Sequence, residues 1–192
     1  MYLRNYQNDC VNNVFRDLEK HKKLGVVMPT GSGKTIVFGK IIKNYLEENP
    51  TKRVIVVSHL SLLVEQTKNR LEEDHNIKCG FLQGLEIPGD DKVVVTTMQS
   101  LCKEAKLNRW ARKVKRLNNK YGSLKEIKDS VKYLDIGLIV IDECHRIGCD
   151  TYDKILKLIP ETSILGFTAT PFRSNQLMSN FFEKISYTIS MN

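Results

Sequence analysis

The chain of 192 residues has no apolar run near the ~20 residues a helix needs to span a bilayer. Its opening residues, Met1-Tyr2-Leu3-Arg4-Asn5, carry no apolar core of a secretory signal. Both absences make a soluble, cytoplasmic protein the expectation. The five cysteines (Cys10, Cys79, Cys102, Cys144 and Cys149) are odd in number and include no Cys-x-x-Cys pair. Their spacing suits neither a disulfide scaffold nor a zinc site, and Cys144-His145 with Cys149 lacks an evident fourth ligand. Free thiols in a reducing compartment follow as the expectation. There is no low-complexity tract, no internal repeat and no linker that would divide the chain. With 41% hydrophobic and 27% charged residues, the composition is that of a folded globular protein. A domain of this length buries roughly 70% of its unfolded surface and needs no covalent staple.

Positive charge is what the sequence has in excess. The net charge is +8. Residues 102–133 contain eleven Lys or Arg and three acids, while the remainder has nineteen of each, so one stretch carries the whole excess. A localised basic patch attracts polyanions, of which nucleic acid is the commonest; a solvated helical face is the plainer explanation.

Along the chain, short apolar runs alternate with amphipathic ones. Residues 5–21 read as a helix with Val11, Val14, Phe15 and Leu18 on one face. Strands are expected at 24–28, 53–58, near 78–82, at 92–96, 138–141 and 163–167. Helices are expected from about 34 to 47, after the second strand through Leu71, across the basic stretch with a break at Tyr121-Gly122-Ser123, and at 153–158. Continuous apolar strands separated by helices indicate a parallel sheet covered on both faces.

Pro29-Thr30-Gly31-Ser32-Gly33-Lys34-Thr35 lies between a strand and a helix, the context a phosphate-binding loop requires. Gly31 and Gly33 let the backbone curl until successive N–H groups face one point, and the helix N-terminus adds partial positive charge. Lys34 supplies a full charge for the β- and γ-phosphates, and the Thr35 hydroxyl suits Mg²⁺. Met28 stands where the generic loop has its first glycine. The second signal is Asp142-Glu143 at the C-terminal end of an apolar strand, where ligands bind in open α/β sheets. Asp142 suits Mg²⁺ opposite Thr35, and Glu143 suits the water that attacks the γ-phosphate.

The order and wording of these segments resemble the first RecA-like domain of superfamily 2 helicases and translocases. Leu3-Arg4-Asn5-Tyr6-Gln7 resembles the Q-motif region, Met28–Thr35 motif I, and Val56–Gln66 motif Ia. Val94–Leu101 resembles the element around motif Ib. Asp142-Glu143-Cys144-His145 is similar to a DECH-type motif II, and Gly166-Phe167-Thr168-Ala169-Thr170-Pro171-Phe172-Arg173 to motif III. The wording is most similar to DNA translocases of restriction and repair. The resemblance implies an α/β, RecA-like P-loop NTPase domain with a central, mainly parallel sheet and helices on both faces. It implies ATP with Mg²⁺, the loop residues Thr30, Gly31, Ser32, Gly33, Lys34 and Thr35 holding the nucleotide, Arg4 lying on the adenine and Gln7 bonding its edge. It implies that Thr168 and Thr170 couple hydrolysis to movement, with His145 in their network; a merely packed histidine is the alternative. Ser58, Thr96 and Thr97 become phosphate contacts to nucleic acid, against strand-end capping. The basic stretch adds Arg109, Arg112, Lys113, Lys115 and Arg116 to the nucleic-acid side. Trp110 in the same stretch is expected to pack onto the core rather than stack on a base.

Two departures accompany the match. Residues 102–133 resemble an insertion within the domain 1–192. Phe181–Ile189 resembles the strand leading to a second RecA-like domain, so 181–192 is read as the start of that connection. The second domain's motifs, including an arginine finger worth ~10³–10⁵ in rate, are not in the sequence. The expectation is the ATP-binding half of an ATP-dependent DNA helicase or translocase, with slow turnover on its own and a second RecA-like domain as partner. The alternatives are a non-catalytic nucleic-acid-binding module with a vestigial nucleotide site, or part of an RNA helicase.

Overall fold

The computed structural model describes residues 2–118, 130–146, 149–170, 172–173, 176–177 and 182–189. Helix α1 (Asn5–Leu18) buries Cys10, Val11 and Val14 and leads into β1 (Lys23–Val27). It ends three residues before the expected 21, because the amides of Lys20 and His21 turn back onto the Asp17 carbonyl. Helix α2 (Lys34–Glu48) stops at Asn49, ahead of Pro50, whose ring disfavours helical geometry in the residue before it. After β2 (Arg53–Ser58), α3 (Ser61–His75) runs a turn beyond the expected Leu71. That turn has no apolar periodicity to read; it is held by the Lys68–Glu72 pair at 3.0 Å and by His75 packing on α2.

Next come β3 (Cys79–Leu82), β4 (Val93–Thr97), the short α4 (Met98–Leu101) and α5 (Glu104–Asn118). A 3₁₀ turn (Ser130–Leu134) precedes β5 (Ile136–Ile141), and another (Cys144–Arg146) precedes α6 (Cys149–Leu158), which begins four residues before the expected 153. Strand β6 (Ser163–Thr168) is followed by the antiparallel pair β7 (Phe172–Arg173) and β8 (Gln176–Leu177), and then by β9 (Lys184–Thr188). The expected break at Tyr121-Gly122-Ser123 lies outside the described residues.

Seven strands form one sheet in the order β3-β4-β2-β5-β6-β1-β9, and every neighbouring pair is parallel. Alternate side chains feed two cores. Val54, Val56, Val93, Val95, Leu138 and Val140 face α1, α2 and α3. Ile55, Val57, Val94, Ile139 and Ile141 face α5 and α6. Burial on both faces explains why these strands read as unbroken apolar runs. The RecA-like architecture expected from the sequence is the one observed.

Helix α5 contributes Leu107, Trp110, Ala111 and Val114, all fully buried at a spacing of one helical face. The Trp110 indole N–H donates to the Gly89 carbonyl at 2.9 Å. Trp110 is thus a core residue with its polar atom satisfied, and it is closed to base stacking. Among the described residues no helix is long and apolar enough to cross a membrane.

Candidate functional site

Because all seven strands point the same way, their C-terminal ends lie along one edge. That edge carries Met28, Ser58, Thr97, Asp142 and Thr168. The strand order places β6 between β5, which ends at Asp142, and β1, which ends at the phosphate loop. Thr168 therefore stands between the acidic pair and the loop, and its carbonyl accepts the Met28 amide at 2.8 Å.

The loop turns through Gly31 (φ 79°) and Gly33 (φ 83°), a left-handed geometry that glycine adopts without a Cβ penalty. A Cβ on Gly33 would also lie 2.6 Å from the Gln7 amide nitrogen. Gly33 caps α2, so Lys34 and Thr35 open the helix with their amides unpaired by it. The loop is fastened from within and from outside. The Ser32 hydroxyl donates to the Pro29 carbonyl at 2.6 Å. The Ser32 carbonyl accepts from the Tyr6 hydroxyl at 2.9 Å and from the Gln7 amide at 3.1 Å. The Gln7 Oε1 accepts the Arg4 backbone amide at 2.9 Å. Both polar ends of Gln7 are thus engaged by the protein itself in this arrangement. Arg4 is exposed beside a cleft of about 240 Å³, which Tyr6, Gln7, Ser32, Gly33 and Ile36 also line. The Tyr6 tether to the loop was missed by sequence reasoning. Its only signal was its position between Arg4 and Gln7.

Lys34 crosses from the loop to the acidic pair: its Nζ lies 2.6 Å from Glu143 Oε1, with little of the lysine side chain exposed. Asp142 continues the ladder of β5, donating its amide to the Val57 carbonyl at 2.9 Å. Its Oδ1 accepts the Glu143 amide at 3.0 Å. Burial raises the Asp142 carboxyl above the ordinary range, and the neighbouring Glu143 charge adds to this while Lys34 opposes it. Glu143 sits at φ 51°, a left-handed backbone for a non-glycine residue, which stores about 1–3 kcal/mol of strain.

His145 joins the acids to β6. Its Nδ1 is 2.8 Å from the Thr168 hydroxyl and 3.3 Å from Glu143 Oε2. The Thr168 hydroxyl gives its proton to the Thr170 carbonyl at 2.9 Å, and also accepts the Thr170 amide at 3.1 Å. With that proton spent, and a carboxylate as the other neighbour, the hydrogen of His145 belongs on Nδ1. Burial lowers the His145 pKa, against the pull of Glu143. The backbone loop, Lys34, Thr35, Asp142, Glu143, His145, Thr168 and Thr170 are thus brought to one place. The hydroxyl of Thr35 and the carboxylate of Asp142 are hard oxygen donors of the kind Mg²⁺ takes.

The residues expected on the nucleic-acid side divide. Ser58 and Thr96 are fully buried. The Ser58 hydroxyl shares a 3.0 Å bond with Thr67, and the Thr96 hydroxyl donates to the Leu82 carbonyl at 2.6 Å. Thr97 is 7% exposed and caps α4, accepting the Ser100 amide. These three hydroxyls serve the fold, and those of Ser58 and Thr96 are not at the surface where a phosphate would lie, contrary to the expectation of a hydroxyl contact. Strand register turns both side chains inward. Arg109, Arg112, Lys113 and Arg116 are exposed on α5, and Lys115 is half-buried.

A parallel sheet with a phosphate loop after one strand and an acidic pair at the end of another defines a RecA-like P-loop domain. Residues 1–173 match the family described as type III restriction enzyme, res subunit, and the chain belongs to that family. It is 28% identical over 179 residues to the helicase/translocase subunit XPB of general transcription and DNA repair factor IIH from Encephalitozoon cuniculi. That alignment covers 90% of this chain and 24% of XPB, so the chain spans about a quarter of this relative's length. Proteins named as RNA helicases are also among the relatives. The fold is shared with the UvsW helicase of bacteriophage T4 (TM-score 0.67, 18% identity, 97% of this chain and 60% of that one). It is also shared with the helicase MrfA, solved bound to DNA and AMPPNP (TM-score 0.68, 17% identity, 98% and 27%).

Proposed function

We propose that this chain is the ATP-binding half of a DECH-type, ATP-dependent DNA helicase or translocase. The observation that carries the reading is the meeting of Lys34 with Asp142-Glu143 across β6, which joins a phosphate-binding loop to a hydrolytic acid pair. ATP is the substrate. The amides of residues 31–35 and the Lys34 ammonium hold its β- and γ-phosphates, and Arg4 lies along the adenine. Gln7 exchanges one of its bonds within the protein for the adenine edge. Thr35 and Asp142 would hold Mg²⁺, which would supply positive charge against the charge developing on the phosphates. Glu143 orients the attacking water and takes its proton. His145, bonded to both Glu143 and Thr168, ties the state of the acid pair to the segment after β6, and Thr168 and Thr170 pass it on as movement. A second RecA-like domain completes the cleft and supplies positive charge to the transferring phosphoryl group. DNA is favoured over RNA by the wording of the acidic motif and of residues 166–173. Relatives named for DNA repair and a neighbour solved on DNA support the same choice.

Titration with ATP and GTP, with a Lys34→Ala chain beside the unaltered one, tests this reading. The expected result is Mg²⁺-dependent binding that prefers ATP and is weakened at least tenfold by the substitution. Equal affinity in both chains overturns it.

A further inference from the structure

Helix α5 has a second face besides the one buried in the core. Arg109, Arg112, Lys113 and Arg116 recur at three- and four-residue spacing, so they form one stripe. With Leu85 and Ile87 from the β3–β4 connection, they line a groove of about 450 Å³. Two bonds build its wall: Lys113 Nζ donates to the Ile87 carbonyl at 2.7 Å, and the Trp110 indole to the Gly89 carbonyl at 2.9 Å. The buried face anchored by Trp110 holds the backbone under the stripe in place, so only the side chains remain to be ordered on a ligand.

Among the described residues no acid lines the groove. Among the described residues Arg109, Arg112 and Arg116 have no carboxylate partner. On the neighbouring connection, Asp90 pairs with Arg53 and Asp91 accepts the Gly89 amide. Glu86, the third acid there, does not line the groove. Like charges three and four residues apart repel one another and weaken a helix, and a bound polyanion relieves this. From Arg109 to Arg116 is about 10 Å along the helix axis, a span matching about three phosphates of one strand. Three arginines present planar forks that suit phosphate oxygens, and Leu85, 90% exposed, offers apolar surface to sugar and base. An acidic peptide would also meet the charge, but the repeated cation spacing along one axis favours a regularly spaced anion.

The groove lies at the β3 edge, five strand positions or about 24 Å across the sheet from β1. We propose that it is a second nucleic-acid contact, taking the phosphodiester backbone of a duplex arm that extends sideways from the C-terminal strand ends. The inference rests on the nucleic-acid reading above and adds a place, a strand and a number of contacts to it.

The test is fluorescence anisotropy of the full chain on a 20-base-pair duplex DNA of mixed sequence, from 50 to 200 mM KCl. A parallel series uses an RNA duplex of equal length. The R109Q/R112Q/R116Q chain is compared with R112Q alone and with K20Q/K154Q/K157Q, which removes the same charge from residues outside the groove. Far-UV circular dichroism and a cooperative melt verify each fold. The slope of log affinity against log salt should flatten by about 0.9 in R112Q and by up to about 2.7 in the triple variant. Affinity at 50 mM should fall at least tenfold in the groove triple, while the control triple changes less than threefold. If the triple variant does not fold, the R112Q slope decides. Equal slopes for the groove triple and the control overturn the groove and leave the nucleotide reading standing. No duplex binding by the unaltered chain overturns both the groove and the nucleic-acid reading. A change seen only with RNA supports the groove and reassigns its polymer. An acidic peptide that binds the groove while duplex affinity is unmoved by the variants overturns the proposal.

Discussion

The Nζ of Lys34 and the Oε1 of Glu143 lie 2.6 Å apart, so the cation of the phosphate loop is held by the acid assigned to activate water. A γ-phosphate must therefore compete with Glu143 for Lys34, and in winning it releases the carboxylate toward the water. Replacing Glu143 with glutamine separates the two roles. Affinity for ATP is expected to rise by up to about tenfold, the scale of one hydrogen bond to a charged group. Turnover is expected to fall by about 10²–10⁴, the usual worth of a general base. Fluorescent-nucleotide titration and phosphate release read the two effects on the same chain.

Tyr6 and Gln7 hold the loop through one atom, the Ser32 carbonyl. Gln7→Ala removes its bond to Ser32 and the bond from the Arg4 amide, and is expected to weaken ATP binding about tenfold. Tyr6→Phe removes one neutral bond, worth about 0.5–1.5 kcal/mol, and is expected to weaken binding about two- to tenfold. The same titration checks both, and equal affinities would show that the loop needs neither tether.

His75 of α3 packs directly over Gly39 of α2. A Cβ at Gly39 would run into the imidazole ring. Gly39→Ala overpacks this contact and should cost about 1–3 kcal/mol in chemical denaturation. Trp110→Ala empties a fully buried indole site and should cost about 3–5 kcal/mol.

Asp17 gives the fold a defined acid sensitivity. It is buried, with the Lys184 ammonium of β9 at 2.8 Å. Burial alone would raise its pKa, but the bonds from Lys184 and Arg16 outweigh this and hold it below the usual carboxylate value. A depressed folded-state pKa means the contribution is complete above the unfolded value, near 3.9, and is lost as pH falls through the folded value. Asp17→Asn should thus be less stable than the unaltered chain at pH 7, with the difference closing below about pH 4. Denaturation midpoints from pH 7 to pH 2.5 measure it, and a gap that widens on acidification would contradict the assignment.

The sheet was legible because strands buried on both faces carry no polar interruption, as at Val54–Val57 and Leu138–Ile141. The phosphate loop was legible because its glycines and Lys34 have one geometric use between a strand and a helix. Other features depend on tertiary placement. Ser58 and Thr96 stand in segments resembling nucleic-acid motifs, but strand register turns their hydroxyls inward, toward Thr67 and Leu82. The end of α3 rests on His75 and a salt bridge rather than on periodicity. The Lys34–Glu143 contact spans 109 residues and needs β6 between β5 and β1. The α5 stripe was visible as charge, but its groove exists only because the β3–β4 connection lies against that helix.

If the proposed function holds, the Lys34–Asp142–Glu143 site hydrolyses ATP. The most direct measurement is phosphate release by the purified chain with Mg²⁺, with and without duplex DNA, beside Lys34→Ala. Slow turnover is expected, below the typical enzymatic range of about 1–10³ s⁻¹, and it should disappear in the substituted chain. A rate that survives loss of Lys34 unchanged would contradict it.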